Sequence, residues 1–251
     1  MWKTRFFFIL GLVCLLACPL LAQEKPGNVA GYWFLKPKPG MRQQFEQALK
    51  RHMEWHKQQK DTWTIFVGEA VVGGRIGQYF VTPGGHHWKE FDAREKFDEA
   101  DTADFVANVA QYVDLVGAQI WVYHPELSRP ITGDARFWEF VEEHLNMGSE
   151  SDYLLVVRKV HEAIQKTNWP VYYDIWELFN GGEHPTYGID FPHKNRADFE
   201  PPEQTLRSVL EKAYGREEAD ALLKTFSKSV HCVKSEVWAS RPDLGYVPAA
   251  K

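Results

Sequence analysis

A long internal duplication constrains the fold of this chain more than any other feature. Residues 121–127 and 238–244 share the pattern Trp-x-x-basic-Pro-acid-Leu, 117 positions apart. Four further matches are each separated by 108 positions: Gly73-Gly74 with Gly181-Gly182, Glu69 with Glu177, Tyr79 with Tyr187, and Phe91 with Phe199. A repeat of this length predicts two small domains rather than a solenoid of short units.

Hydrophobic periodicity predicts the order strand, helix, strand, strand, helix, strand in each half. The first-half elements are predicted at 31–36, 41–59, 63–72, 77–82, 101–116 and 118–123. The second-half elements are predicted at 136–142, 151–167, 171–179, 186–191, 203–229 (a helix broken near Gly215) and 233–239. Proline and glycine mark a linker near 125–134. We therefore assign the first repeat to 29–128 and the second to 132–245.

Two βαββαβ units predict two ferredoxin-like antiparallel sheets, each with both helices on one face. The other face of each sheet is apolar and aromatic, so it must be covered. Packing the two open faces together gives an α+β fold that resembles the dimeric α/β-barrel superfamily, here with tandem repeats fused in one chain. The resemblance covers about residues 29–245 and rests on element order and duplication. It implies several possible functions: small monooxygenases without cofactors, haem enzymes such as the chlorite dismutase-like group, and proteins of unknown role. Fold alone does not choose among them, and the cofactor stays open.

The first 22 residues have the pattern of an export signal. Lys3 and Arg5 precede an uncharged apolar run at 6–16, which is too short to span a bilayer but suits a signal-peptide core. Cleavage after Ala22 predicts a periplasmic or secreted protein. The alternative is that residues 15–18 form a lipobox, in which case Cys18 is lipidated and the protein is membrane-anchored.

The charge and cysteine content exclude several classes of partner and fold. Removal of residues 1–22 leaves 27 basic and 34 acidic residues, a net charge of −7. A chain of this charge has no electrostatic reason to bind nucleic acid or an anionic membrane surface. Cys232 is then the one cysteine left unmodified, so no intrachain disulfide is expected.

Two matched glutamates are the predicted catalytic residues. Glu69 and Glu177 each lie four positions before a Gly-Gly turn and alternate with apolar residues along their strands. If that face lines the barrel, both carboxylates approach its interior, where an apolar shell raises a carboxyl pKa and suits acid or base work. The alternative is a solvated position at the hairpin mouth, or pairing with a cation.

Five further residues are predicted to contact a ligand. His86, His87 and His193 follow the third strands of the two halves, and loops carried on a rigid sheet commonly bear binding groups. Tyr79 and Tyr187 are matched aromatic residues that can line a pocket. The alternatives are exposed loop residues and core filling, respectively.

A histidine pair one helical turn apart raises the question of a metal. His52 and His56 can present two nitrogens on one helix face, but the order His-Met-Glu-Trp-His lacks the glutamate position of the metalloprotease motif. Because both lie in the stripe expected to face the sheet, we predict packing and assign no metal site.

Three functions remain open from the sequence. The first is an exported protein that binds a small organic ligand between the two sheets, with weak cofactor-free catalysis. The second is a haem- or metal-dependent oxidoreductase. The third is a non-catalytic interaction scaffold of the cell envelope. Whether the chain is an enzyme, its cofactor and its oligomeric state are not determined by the sequence.

Overall fold

The computed structural model describes residues 27–249, so the predicted signal peptide lies outside the described residues. The first half contains β1 Val29–Pro37, α1 Arg42–Gln58, β2 Phe66–Val72, β3 Tyr79–Thr82, α2 Trp88–Ala93, α3 Glu95–Asn108 and β4 Val113–Tyr123. The second half contains β5 Phe137–Leu145, α4 Glu150–Thr167, β6 Asp174–Asn180, β7 Thr186–His193, α5 Leu206–Tyr214, α6 Arg216–Ser229 and β8 Val230–Ser240. Both halves have the predicted order of elements apart from the additional short helix α2 in the first half, and the last helix breaks at Gly215 as expected. None of the helices in this part of the chain combines the length and apolar character needed to cross a bilayer.

The eight strands form one closed antiparallel barrel in the order β1-β3-β2-β8-β5-β7-β6-β4, with β4 hydrogen bonded back to β1. Within each half the order is that of a ferredoxin-like sheet, and the halves join along β2–β8 and β4–β6. This arrangement confirms the predicted fold class.

The helices cover the outside of the barrel, and aromatic side chains fill part of its inside. The outer core of the first half brings α1 residues such as Phe45 and Leu49 against Val67 and Tyr79 of the sheet. The inner face carries the alternate residues of the same strands, including Phe34 and Ala70, which cluster with Trp238. Both faces of each sheet are therefore largely apolar.

The duplicated sequence pattern occupies equivalent positions in the two halves. Trp121 and Trp238 each lie two residues before the end of the last strand of their half. Each strand is followed by a short 3-10 helix, Pro125–Leu127 or Pro242–Leu244, whose leucine is buried. The two tryptophans thus share one element type, as the duplication predicted.

The region after the second hairpin of the first half differs from prediction. The helix expected at 101–116 spans Glu95–Asn108 instead, and α2, which was not predicted, precedes it. The expected helical end at 113–116 is strand, because Val113, Asp114 and Leu115 pair with residues of β1. Long-range strand pairing outweighs the local helical period here.

Candidate functional site

A cavity of about 330 Å³ lies inside the barrel. Small-molecule sites typically measure about 300–1,000 Å³, so this space suits a compact organic ligand. The lining is mainly aromatic and includes Tyr32, Phe34, Phe66, Phe80, Trp121, Trp138, Phe140, Trp176 and Trp238. Flat rings on several strands present faces and edges that favour a planar partner.

Glycine in the strands lets the inner rings approach the backbone closely. A Cβ atom added to Gly188 of β7 would lie 2.5 Å from the Phe140 ring and 3.0 Å from Trp121. A Cβ added to Gly68 of β2 would lie 2.3 Å from the Phe80 ring. The shape of the cavity wall therefore depends on these two positions having no side chain.

Two aspartates form a carboxyl pair in the aromatic cavity. Asp174 of β6 and Asp190 of β7 are directly opposite each other across neighbouring strands and both line the cavity. Directly opposed residues have Cβ atoms about 4.5–5.5 Å apart, so two ionised carboxylates there repel strongly. The Tyr123 hydroxyl donates a 2.9 Å hydrogen bond to Asp174 Oδ1.

The environments of the two carboxyls differ. Burial, together with the neighbouring charge of Asp174, raises the pKa of Asp190 to about 8. Burial also raises the pKa of Asp174, but the hydrogen bond from Tyr123 opposes that rise. Near neutral pH the pair therefore holds a proton, and Asp190 is the member whose environment favours keeping it. Titratable pairs whose environments separate their pKa values are typical of acid–base sites.

Two more polar groups face the same space. The indole N–H of Trp176 is buried and has no well-aligned hydrogen-bond partner among residues 27–249, but it lies close enough to Asp190 to favour the ionised form of that carboxyl. Burial and the two aspartates raise the pKa of the Tyr32 phenol, so Tyr32 stays a neutral hydroxyl. The cavity thus combines one carboxylate acceptor with several neutral donors.

An arginine is held among the rings by two glutamates. Arg75, in the loop between β2 and β3, lies 2.8 Å from Glu142 and 2.6 Å from Glu236. Its guanidinium carbon is 4.5 Å from the Phe34 ring centre and 5.2 Å from that of Trp238. These contacts fix Arg75 in place and neutralise its charge within the barrel wall.

The predicted position of the two glutamates is wrong. Glu69 and Glu177 lie on the helix-facing side of their strands. In β2, Val67 packs in the outer core while the Phe66 ring lines the cavity; in β6, Ile175 packs in the outer core while Asp174 lines the cavity. Glu69 is bound by Arg241 at 2.8 Å and Arg42 at 2.7 Å. The catalytic role predicted for this pair stays a prediction, without the interior position that motivated it.

The duplicated pattern explains why these glutamates are where they are. Glu177 lies 3.1 Å from His124, the basic residue of the first Trp-x-x-basic pattern, and Glu69 contacts Arg241, the basic residue of the second. Each pair crosses a seam between the halves, β4–β6 or β2–β8. The matched glutamates therefore join the two repeats.

The two matched tyrosines also point outward. Tyr79 and Tyr187 are fully buried under the helices, and their hydroxyls donate to Glu46 and Glu150 at 2.6 and 2.7 Å. They do not line the cavity, so the expectation that they border a ligand pocket between the sheets is corrected. Their matched contacts are those of helix-to-sheet packing.

The three histidines predicted to lie in loops are not brought together. His86 lies in the loop after β3 and stacks on Trp63 at 3.6 Å between ring centres. His193 is the last residue of β7 rather than a loop residue, and it stacks on Phe199 at 3.9 Å. Those strands are separated by three others in either direction around the barrel. His87 precedes α2 and forms a capping box with Glu90. Their predicted role in ligand binding stays a prediction.

Sequence reasoning missed the aspartate pair because it searched for residues matched between the repeats. The first-half residues at the positions of Asp174 and Asp190 are Phe66 and Thr82, which pair across β2 and β3 in the same register. The sequence did contain one signal for this site: each aspartate lies on a strand at a position where the other repeat has a residue that is not acidic. The site belongs to one half of the barrel.

Comparisons with known proteins support the fold alone. No family model and no curated protein matches the sequence. A candidate monooxygenase from Lactobacillus acidophilus NCFM has a similar structure at a TM-score of 0.53 and 10% identity, covering 90% of this chain and 98% of its own. An anthrone oxidase-like protein matches at 0.50 and 8%, covering 86% and 92%. A chlorite dismutase from Candidatus Nitrospira defluvii, in complex with imidazole, matches at 0.53 and 7%, covering 86% and 92%. The chain therefore has the dimeric α/β-barrel fold.

Proposed function

We propose that this protein binds a small planar aromatic molecule inside its barrel and transfers a proton to or from it with the Asp174–Asp190 pair. The observation that carries the proposal is the pair of directly opposed carboxyls, Asp174 and Asp190, in an aromatic cavity that raises the pKa of Asp190 to about 8. Packing alone does not require two opposed carboxyls there, since burying charge is costly unless a partner compensates for it.

The geometry suits a substrate with an acidic C–H or O–H group near a carbonyl. The Asp174 carboxylate accepts the proton, while the Asp190 O–H donates a hydrogen bond to the oxygen that becomes negative. A donor already aimed at the developing charge lowers the barrier most in a site with little water. The indole N–H of Trp176 is a second such donor.

The proposed reaction class is cofactor-free oxidation by dioxygen. Once the proton is removed, the enolate can react with O₂: one oxygen atom enters the organic product and the other leaves as water. Oxidation of anthrone to anthraquinone is a balanced example, consuming one O₂ and releasing one H₂O. The fold similarity to a candidate monooxygenase and an anthrone oxidase-like protein supports this class.

Binding and turnover need separate tests. Thermal shift and tryptophan fluorescence with anthrone, anthraquinone and other planar phenols and ketones measure binding, because a ligand of the folded state stabilises it. An oxygen electrode with anthrone measures turnover. We expect saturable binding and O₂ uptake that Asp174→Asn abolishes. If no planar aromatic molecule binds, the proposed binding function is refuted. If such a molecule binds without O₂ uptake, only the proposed oxidation step is refuted.

A haem-dependent oxidoreductase is the second candidate, supported by the fold similarity to chlorite dismutase. Protein ligands of haem iron are histidine, cysteine, methionine or tyrosinate. Among the described residues that line the cavity there is no histidine, cysteine or methionine, and the raised pKa of Tyr32 disfavours tyrosinate. The cavity therefore does not fit a haem. A Soret band in protein purified from its host would favour this second candidate.

We also propose that the protein acts outside the cytoplasm, on the basis of Lys3, Arg5 and the apolar run that follows. Mass spectrometry of the mature protein should find a chain starting at Gln23 or at a lipidated Cys18; an intact Met1 would contradict export. The scaffold alternative predicts that no small molecule binds the cavity.

A further inference from the structure

A cluster of histidines and aspartates lies on the outside of the barrel. It is separate from the aromatic cavity and differs from it in chemistry. His52 and His56 of α1 are 5% and 2% exposed, and both rings face Asp101 of α3. The sequence predicted that they pack against the sheet. The structure shows them buried, as predicted, but against α3 and the loop that follows α1.

The Nδ1 atom of each ring is already paired with a carboxylate oxygen. His52 Nδ1 lies 2.7 Å from Asp104 Oδ2, and His56 Nδ1 lies 2.8 Å from Asp61 Oδ2. Arg94 holds Asp61 with two hydrogen bonds, of 2.7 and 3.0 Å. A carboxylate that accepts the Nδ1–H fixes the tautomer and leaves the Nε2 lone pair for another partner, which is the usual arrangement behind metal-bound histidines.

Both Nε2 atoms converge on one carboxylate oxygen. Asp101 Oδ1 is 3.0 Å from His52 Nε2 and 3.2 Å from His56 Nε2. Neither contact has hydrogen-bond geometry, and this oxygen is buried without a hydrogen-bond partner among the described residues. If both rings were neutral, their Nε2 lone pairs would repel the lone pairs of this carboxylate oxygen. In the metal-free protein a proton relieves that repulsion, because, against the opposing effect of burial, the carboxylates of Asp101 and Asp61 raise the pKa of His56 to about 9. A cation between the three atoms would take the place of that proton.

The spacing of the three atoms approaches that of a zinc site. Zn–N and Zn–O bonds of about 2.0–2.2 Å in a tetrahedron place ligand atoms about 3.3–3.6 Å apart. The two histidine-to-aspartate distances are close to this, and all three ligand atoms lie within 4.8 Å of one another. If the two rings tilted slightly towards each other, the three ligand atoms would reach the spacing of a tetrahedral zinc site.

We propose that His52 Nε2, His56 Nε2 and Asp101 Oδ1 bind one Zn²⁺ ion, with Asp104 and Asp61 orienting the two rings. Imidazole and carboxylate ligands suit zinc, and a water molecule can complete the tetrahedron on the side where Asp101 is partly exposed. Because the ligands come from α1 and α3, the ion would clamp these helices together. The second half has no equivalent cluster within residues 27–249, so the clamp belongs to the first repeat.

The test uses the mature chain, freed of metal by a chelator and titrated with Zn²⁺ alone. Calorimetry and elemental analysis after gel filtration should give one zinc per chain, and Co²⁺ should give a visible spectrum typical of a four-coordinate nitrogen and oxygen site. Hydrogen exchange should slow on zinc addition in α1 and α3. This readout does not depend on any variant remaining folded.

Matched variants separate ligands from neighbours. His52→Gln and Asp101→Asn should lose the one-equivalent binding, and Asp104→Asn should weaken it about 10–100-fold, because it removes only the group that orients His52. His161→Gln is the control, since His161 lies on α4 and contacts Tyr173 and Gln165 instead. The proposal is overturned if wild type retains no zinc, if His161→Gln loses as much as His52→Gln, or if protection appears away from α1 and α3.

Discussion

Replacing Asp190 by asparagine should stabilise the protein, and by more at higher pH. The pKa of Asp190 is raised from an ordinary value of 3.8 to about 8. Below pH 3.8 the carboxyl is neutral in both the folded and the unfolded chain, so it contributes no pH dependence. Between pH 3.8 and 8 the unfolded chain loses the proton while the folded one keeps it. The free energy of unfolding therefore falls across this window and levels off above it.

The magnitude follows from the distance between the working pH and the ordinary pKa. Each pH unit in the window corresponds to 1.36 kcal/mol, so at pH 7 the native protein loses up to about 4 kcal/mol relative to pH 3.8. Because Asp190 lines a cavity that water can enter, we expect about 2–4 kcal/mol in practice. Asparagine keeps the shape and a donor but never ionises, so the variant should avoid this loss.

Urea denaturation at pH 4.5 and pH 7.5 measures the effect. The gain of Asp190→Asn over wild type should be small at pH 4.5 and should increase by a few kcal/mol at pH 7.5. Asp114→Asn, at an exposed site, is the control and should show no such trend. A gain that is independent of pH, or a loss of stability at pH 7.5, would refute the reasoning.

Three further predictions concern packing and pairing around the barrel. Arg75→Met leaves two glutamates in the barrel wall without their cation and should destabilise by about 3–5 kcal/mol in urea denaturation. Arg207→Gln, at an exposed surface pair, is its control and should leave the urea midpoint nearly unchanged. Glu69→Gln should destabilise by about 1–3 kcal/mol in the same assay, because the structure shows this carboxylate bound by two arginines; a measured gain in stability would contradict this pairing. Gly188→Ala should cost about 1–3 kcal/mol and weaken ligand binding by pushing an aromatic ring into the cavity. Gly117→Ala is its control, since an added Cβ there meets its nearest neighbour at an ordinary 3.7 Å, and equal effects of the two variants would contradict the proposed wall.

The barrel could be predicted from the sequence because duplication and element order are global features. Two βαββαβ units with uncovered apolar sheet faces have few ways to bury those faces. Predicting the positions of a few strands correctly was therefore enough to predict the fold. The helix boundary near residue 109 could not be predicted, because Val109 and Val113 fit a helical stripe as well as they fit the turn and strand that the structure contains.

The inward face of each strand could not be predicted because both faces are apolar. In β2, Val67 packs under the helices while Phe66 and Ala70 face the interior. Alternation separates the two faces without saying which is inside, and a shift of one residue exchanges them. The matched glutamates were consequently assigned to the interior, and the unmatched Asp174 and Asp190 were missed.

The most direct test of the account is the titration of the Asp190 carboxyl itself. Carbon-13 NMR of aspartate-labelled protein, with Asp190→Asn to assign the resonance, follows its protonation from pH 4 to 10. The account predicts a neutral carboxyl at pH 6.5 that titrates near pH 8 and responds to a bound planar ligand. A carboxyl already ionised at pH 6.5, with no response to such a ligand, would contradict the proposed site.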